Sequence, residues 1–125
     1  MGGISTEVAA GQAVAHNSFA MFDNDQQIKL TGNVSKFIWQ NPHVYIELDT
    51  VDDAGKTRHW TIECANPGIL NRIGWKFNMI KTGDKLTVIV APLRTGEPGA
   101  LLKQVTLPDG RKFGNGAPAG PALIQ

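Results

Sequence analysis

The feature that most constrains the fold is a pair of stretches, 43–49 and 58–64, in which apolar and polar residues alternate. Successive side chains of a β-strand point to opposite faces, and a shift of one residue would bury the charged set. The pattern therefore predicts a β-hairpin with one strongly specified register. A loop of residues 53–55, with Gly55 in the left-handed conformation, gives the matching connection. The apolar face of this hairpin would consist of Val44, Ile46, Leu48, Trp60, Ile62 and Cys64.

The rest of the chain divides into shorter segments of the same kind. The alternation of Gln27–Trp39 predicts a long first strand, with a bend near Ser35–Lys36 where the phase changes. After Cys64 the period changes, and Asn66 followed by Pro67 predicts a capped short helix that ends near Gly74. Two more strands, at 85–91 and 101–107, precede a short ending at Lys112–Phe113.

This order predicts an all-β protein with one short helix. A small sheet must protect its edges, and closure into a barrel does so. Five strands with a helix between the third and the fourth is the order of the OB-fold, so we expect a small five-stranded antiparallel, OB-like barrel. A two-layer β-sandwich is the alternative.

With 125 residues the chain has the length of one domain. Residues 1–15 are interpreted as a residual export signal or a disordered tail, because Ala13-Val14-Ala15 resembles a small-residue cleavage site without the basic start and apolar segment of a signal peptide. Residues 16–113 form the barrel domain, and the Gly/Pro/Ala-rich residues 114–125 are expected to be disordered.

The charge and the hydropathy of the chain limit the kinds of partner that the sequence predicts. The formal net charge is +1 and there is no run of like charges, so the sequence predicts no nucleic-acid partner, which would normally require a basic patch. No stretch of about 18 apolar residues is present, so no insertion into a membrane is predicted. The partner expected from these properties is a small-molecule ligand or a protein.

Proton transfer is one interpretation of the polar face of the hairpin. Its register places Tyr45 opposite Glu63, with His43 nearby, and a His/Glu pair beside an aromatic wall can move a proton. We therefore predict His43, Glu63 and Tyr45 as the catalytic residues if the protein is a cofactor-free isomerase or lyase. The alternative is a solvated strand face whose charges have no catalytic role.

Ligand binding is the other interpretation of this face. OB-type barrels often bind on strands two and three, beside the loop between strands four and five, here Pro92–Gly99. This predicts a cleft at His43, Tyr45 and Glu63 next to that loop. The predicted ligand-binding residues are Trp39, Asn41, His59 and Trp75.

Copper binding is a further alternative, and it depends on His16. If export made His16 the first residue, its amino group and imidazole could chelate copper together with His43 or His59. However, no two histidines have the i,i+2 or i,i+4 spacing of a local metal site. No metal site and no cofactor are therefore predicted.

Several motifs together resemble domain-of-unknown-function family 6152. They are H-x-S-F-A-M-F-D from His16, N-P-H-V, H-W-x-I-E, G-W, G-D-K and V-T-L-P-D-G-R, and they extend to about Gly114. The resemblance implies a small exported bacterial protein, periplasmic or secreted, whose signal peptide ends before His16. Family members often carry a second His after the first, where this chain has Asn17. The resemblance implies no activity.

The function predicted from these observations is an exported β-barrel binding module. Its ligand would be a neutral or apolar small molecule, an oligosaccharide or a protein. The cofactor-free acid–base enzyme is the first alternative, and a copper-binding periplasmic protein is the second.

Overall fold

The computed structural model describes residues 18–117 and 122–125. The predictions for residues 1–15 and for His16 lie outside these ranges. The described helices are short and the strands carry most of the fold. The elements are α1 (Ser18–Met21), β1 (Ile28–Ile38), β2 (Tyr45–Val51), β3 (Thr57–Glu63), α2 (Pro67–Arg72), β4 (Lys85–Pro92), β5 (Gly99–Thr106) and β6 (Lys112–Gly114).

The predicted hairpin is confirmed in its register. Strands β2 and β3 pair Leu48 with Trp60 and Tyr45 with Glu63. The turn has Gly55 at φ 79°, in the left-handed region that a residue without a Cβ adopts without strain. The local alternation and the turn chemistry were sufficient to specify this hairpin, because all its paired residues lie within 25 residues of each other in the sequence.

The sheet closes into a barrel, as the OB-like prediction requires. Neighbouring strands follow the order β3-β2-β1-β4-β5-β6, and an additional pairing joins β3 to β5. That closing pair is parallel, with Ile62 opposite Ala100, whereas the sequence predicted antiparallel strands throughout. The closure removes the free edges of β3 and β5, and it excludes the open β-sandwich.

The long first strand is shared by both halves of the barrel. Its first half pairs with β4 and its second half with β2. The register of the β1–β2 pair shifts between Val34 and Lys36, which confirms the predicted irregularity. Gly32 lies where the two pairings meet, so the strand can bend there around the core.

The barrel interior is filled by the apolar faces of the strands and by residues from the segment after β3. Asn66 caps α2 by accepting a hydrogen bond from the Ile69 backbone N–H at 2.8 Å, as the sequence predicted. The helix buries Leu70, and Trp75 follows it into the same core. Burial raises the pKa of the Cys64 thiol, so this sulfur is protonated and unreactive.

The packed chain extends beyond the predicted domain end at Phe113. Asn115 is buried, accepts a hydrogen bond from the Ala65 N–H at 2.7 Å and donates one to the Leu102 carbonyl at 2.9 Å. The side-chain amide thus satisfies two backbone groups that lie on different elements. The sequence did not predict this contact, because Asn115 lies among glycine, alanine and proline residues, a composition that predicts a disordered tail. Among the described residues, no helix is long and apolar enough to cross a membrane.

Candidate functional site

The structure brings together the three residues that were predicted as catalytic. The Tyr45 hydroxyl donates to Glu63 Oε1 at 3.4 Å, and Glu63 Oε2 lies 3.9 Å from His43 Nδ1. The rings of His43 and Tyr45 meet edge to face at 6.5 Å. This cluster follows from the hairpin register, which places Tyr45 directly across from Glu63.

Tyr45 and Glu63 have unequal roles in their hydrogen bond. Partial burial, together with the neighbouring Glu63 carboxylate, raises the pKa of the Tyr45 hydroxyl above its ordinary value of 10.0. Tyr45 therefore keeps its proton at neutral pH and acts as a donor. Glu63, with a side chain only 13% exposed, uses Oε1 as the acceptor.

The tautomer of His43 follows from its backbone contact. His43 Nδ1 lies 3.1 Å from the Cys64 carbonyl oxygen. A carbonyl oxygen only accepts, so Nδ1 carries the hydrogen of this bond. In the neutral imidazole, Nε2 then carries a lone pair and no proton. His43 thus offers an acceptor, or a base, to a ligand.

An apolar cavity of about 230 Å³ lies next to His43 and Glu63. Its wall is assembled from the hairpin end, the beginning of α2, strand β5 and the segment that follows β6. The polar residues of the wall are His43, Glu63, Asn66 and Asn115, and its apolar residues include Pro42, Ala65, Ile69, Leu101, Leu102 and Ala117.

The predicted ligand-binding residues lie apart from this cavity. Asn41 is exposed, and Trp39 is partly buried against Phe37 with 5.9 Å between the ring centroids. Neither residue lines the cavity. Trp75 was predicted as a stacking surface, but its side chain is only 1% exposed and its indole N–H donates to the Gly114 carbonyl at 2.9 Å. That prediction is corrected: Trp75 is a core residue.

The position of the loop between β4 and β5 also differs from the prediction. It approaches β3 at Thr61, whose N–H donates to the Pro98 carbonyl at 3.1 Å, and at Arg58, which donates to the Gly96 carbonyl at 3.1 Å. It does not line the cavity, which α2 and residues 115–117 enclose instead. Sequence reasoning missed Leu101 and residues 115–117 as parts of the site, since their approach depends on barrel closure.

His59, also predicted to bind a ligand, is occupied by two carboxylates. Its Nδ1 lies 2.6 Å from Asp49 Oδ1 and its Nε2 lies 2.8 Å from Glu47 Oε1. Both ring nitrogens can donate only in the protonated imidazolium. The hydrogen bonds to Glu47 and then to Asp49 accordingly raise the pKa of His59 above its ordinary value of 6.5.

We expect an NMR titration of the imidazole to give His59 a pKa above 6.5, and Glu47→Gln to lower it because one charged acceptor is lost. Asp53→Asn, in the turn of the same hairpin, is the matched control and should leave this pKa unchanged. Because the folded pKa is raised, the stabilisation is complete below pH 6.5 and is lost as the pH rises through the folded pKa. It should amount to less than about 1 kcal/mol, since the side chain is half exposed. An unshifted His59 would contradict the assignment.

The histidines do not form a metal centre within residues 18–117 and 122–125. No group of three or more His, Cys, Asp and Glu side chains in these ranges is arranged to hold an ion. The two histidines have different neighbours: His43 bonds to the Cys64 carbonyl and lies near Glu63, whereas His59 bonds to Glu47 and Asp49. The copper hypothesis depends on His16, which lies outside the described residues.

The fold and the comparisons together define the class of this protein. A closed five-stranded barrel with a helix between β3 and β4 is the OB-like architecture. The chain belongs to DUF6152, a family of unknown function, which it matches over residues 6–103. This confirms the resemblance seen in the sequence motifs. No curated protein matches the chain.

Solved structures with a similar fold include single-stranded DNA-binding proteins. The mitochondrial single-stranded DNA binding protein Rim1 from S. cerevisiae is 15% identical, with a TM-score of 0.51, and the match covers 66% of this chain and 92% of that chain. Its selenomethionine-labelled form is 17% identical with the same coverage and a TM-score of 0.44. At this identity the likeness shows the fold alone.

This similarity corrects the sequence-based exclusion of a nucleic-acid partner. The exclusion relied on the near-neutral net charge of the whole chain. A barrel of this architecture nevertheless occurs in a protein that binds single-stranded DNA. Net charge sums over the whole surface and carries no information about a local binding face, so the exclusion was wrong.

Proposed function

We propose that this protein is a binding module that holds a compact, largely apolar small molecule in the cavity beside His43 and Glu63. The observation that carries the proposal is the cavity itself: about 230 Å³, walled mainly by apolar side chains, with a few polar groups at one place. Small-molecule sites typically have this composition, in which apolar walls supply affinity and the polar groups fix the orientation.

The geometry supports binding better than proton transfer. His43 Nδ1 and Glu63 Oε2 are separated by 3.9 Å, which is longer than a hydrogen bond, and His43 Nδ1 already bonds to the Cys64 carbonyl. Glu63 is also occupied by the Tyr45 hydroxyl. The cofactor-free isomerase or lyase with these residues stays an alternative prediction. Export to the periplasm, or secretion, is part of the proposal and rests on the residues before His16 and on the family resemblance.

Filling the cavity tests the proposed function. In a screen of small organic fragments by protein-observed NMR, we expect ligands that shift the signals of Leu101 and Ala117, which line the cavity. Ile69→Trp adds a ring where the ligand would lie, so it should weaken such ligands at least about tenfold through steric exclusion. Ile73→Trp makes the same change four residues later, outside the cavity wall, and is the matched control.

Two outcomes of this experiment would refute the proposal. One is a screen in which no fragment shifts the cavity signals. The other is a set of ligands that bind Ile69→Trp as tightly as the unaltered protein, which would place their site elsewhere on the barrel. Unfolding curves for both tryptophan variants should be measured first, so that a change in affinity is compared between folded proteins.

Single-stranded nucleic acid is the second candidate partner. Two observations favour it: the fold shared with Rim1, and Phe77, which is 67% exposed next to Lys76. Exposed aromatic rings beside basic side chains are typical of surfaces on which bases stack. Fluorescence anisotropy with a single-stranded oligonucleotide tests this candidate. Binding that weakens with salt and is unaffected by Ile69→Trp would identify nucleic acid as the partner.

A further inference from the structure

The charge of the cavity wall restricts what the ligand can carry. Glu63 contributes a carboxylate, and the described residues of the wall include no Lys and no Arg. A ligand carboxylate or phosphate would therefore approach Glu63 without a cation to compensate the repulsion. The wall instead favours a neutral or positively charged group at this position.

The hydrogen-bonding capacity of Glu63 is not exhausted by the protein. Oε1 accepts from the Tyr45 hydroxyl, which remains protonated at neutral pH. Oε2 lies 3.9 Å from His43 Nδ1, beyond hydrogen-bond distance. A partly buried carboxylate oxygen in this position is a strong acceptor for a charged donor.

His43 adds a second acceptor to the same corner. Its Nδ1–H bonds to the Cys64 carbonyl at 3.1 Å, so Nε2 is left with a lone pair. Within the described residues, Nε2 has no hydrogen-bond partner. His43 and Glu63 therefore present two acceptors to a ligand and no free donor.

The two asparagines of the wall do not reverse this balance. The amide of Asn115 is bonded at both its oxygen and its nitrogen. Asn66 uses its oxygen to cap α2, which leaves only a neutral NH₂ group. A neutral amide donor does not offset the charge of Glu63.

From this donor and acceptor count we infer that the ligand is a compact apolar molecule with a primary amine, protonated at neutral pH, that is held by Glu63 and His43. The inference rests on the proposed function, because it requires the apolar part of the ligand to occupy the cavity. The ammonium group would donate to Glu63 Oε2 and to His43 Nε2, and the hydrocarbon part would contact Ile69 and Leu101.

Three probes with one common phenyl body test the inference: phenethylamine, phenethyl alcohol and phenylpropionate. Each is titrated into the full chain at neutral pH while the signals of Leu101 and Ala117 are followed by NMR. We expect the amine to bind about tenfold more tightly than the alcohol, since a charged donor strengthens the bond to a carboxylate. The carboxylate probe should bind more weakly than both.

Glu63→Gln separates the charge from the shape of the site. The substitution keeps the size of the side chain and removes its charge, so the advantage of the amine over the alcohol should disappear. Glu47→Gln removes a carboxylate that lies outside the cavity wall and is the matched control; it should preserve that advantage.

The outcomes distinguish the inference from the proposed function. Equal binding of the amine and the carboxylate overturns the inference and leaves a cavity that binds small molecules. The inference is also overturned if none of the three probes binds while other fragments bind the unaltered protein and lose affinity for Ile69→Trp. The proposed function is overturned as well if no fragment and no probe reaches the cavity, or if every ligand found binds Ile69→Trp as tightly as the unaltered protein.

Discussion

Trp75→Ala is expected to lower the free energy of unfolding by about 3–5 kcal/mol, the range for removal of a large aromatic side chain from a core. The indole is 1% exposed and contacts the ring of Phe113, with 6.4 Å between the centroids. It also contacts Phe37, at 6.3 Å. Truncation would leave a cavity and an unpaired Gly114 carbonyl. Urea-induced unfolding followed by circular dichroism measures the loss.

Phe77→Ala is the control for this prediction, because the Phe77 ring is 67% exposed and its removal should change stability by less than about 0.5 kcal/mol. Trp75→Phe adds a second comparison, since it keeps an aromatic ring and removes the N–H that donates to Gly114. It should perturb the NMR signals of residues 115–117, which line the cavity. A small loss for Trp75→Ala, similar to that of Phe77→Ala, would contradict the assignment of Trp75 to the core.

The elements that the sequence predicted well are those specified by local contacts. The hairpin register follows from alternation around a Gly55 turn, and the pairing of Asp49 with His59 was correct in detail. The Asn66 cap was predicted from the residue type and the following Pro67, because a cap depends on only three or four neighbouring residues. The contact of Tyr45 with Glu63 was also predictable, because it follows from the local register of the hairpin.

The features that the sequence did not predict depend on contacts between distant segments. The cavity is complete only when Leu101 on β5 and residues 115–117 meet α2, and these segments lie far apart along the chain. Glycine, alanine and proline around Asn115 are typical of unstructured tails, and composition contains no information about its bonds to Ala65 and Leu102. Trp75 was misassigned because an isolated tryptophan after a short helix has no periodic pattern that would assign it to a face.

The cavity lies beside the seam of the barrel. Strands β3 and β5 pair in parallel there, with Glu63 opposite Leu101. This pairing brings a carboxylate and an apolar side chain next to each other, and the beginning of α2 covers them from one side. The polar end of the proposed ligand would thus contact Glu63 on β3, and its apolar end would contact Leu101 on β5.

Gly32→Ala is expected to destabilise the protein by about 3 kcal/mol, at the upper end of the usual range for overpacking. A Cβ at this position would collide with the carbonyl oxygen of Asp49 and lie 2.9 Å from its carbonyl carbon. Both are backbone atoms of β2, so no side-chain rotation relieves the contact. The pairing of β1 with β2 would have to open, and we expect faster amide hydrogen exchange in Asn33 and Asp49, together with a lower midpoint in urea.

Gly114→Ala provides the matched control, because a Cβ on Gly114 would have no atom within 4 Å and this glycine has no positive φ. It should leave the free energy of unfolding unchanged or raise it by up to about 1 kcal/mol, since alanine restricts the unfolded chain. The comparison holds the chemical change constant and varies only the distance to the neighbouring backbone. If both variants were as stable as the unaltered protein, β1 and β2 could not be as close at Gly32 as the closed barrel requires. The position of β2, the strand that also aligns Tyr45 with Glu63 on β3, would then be in doubt as well.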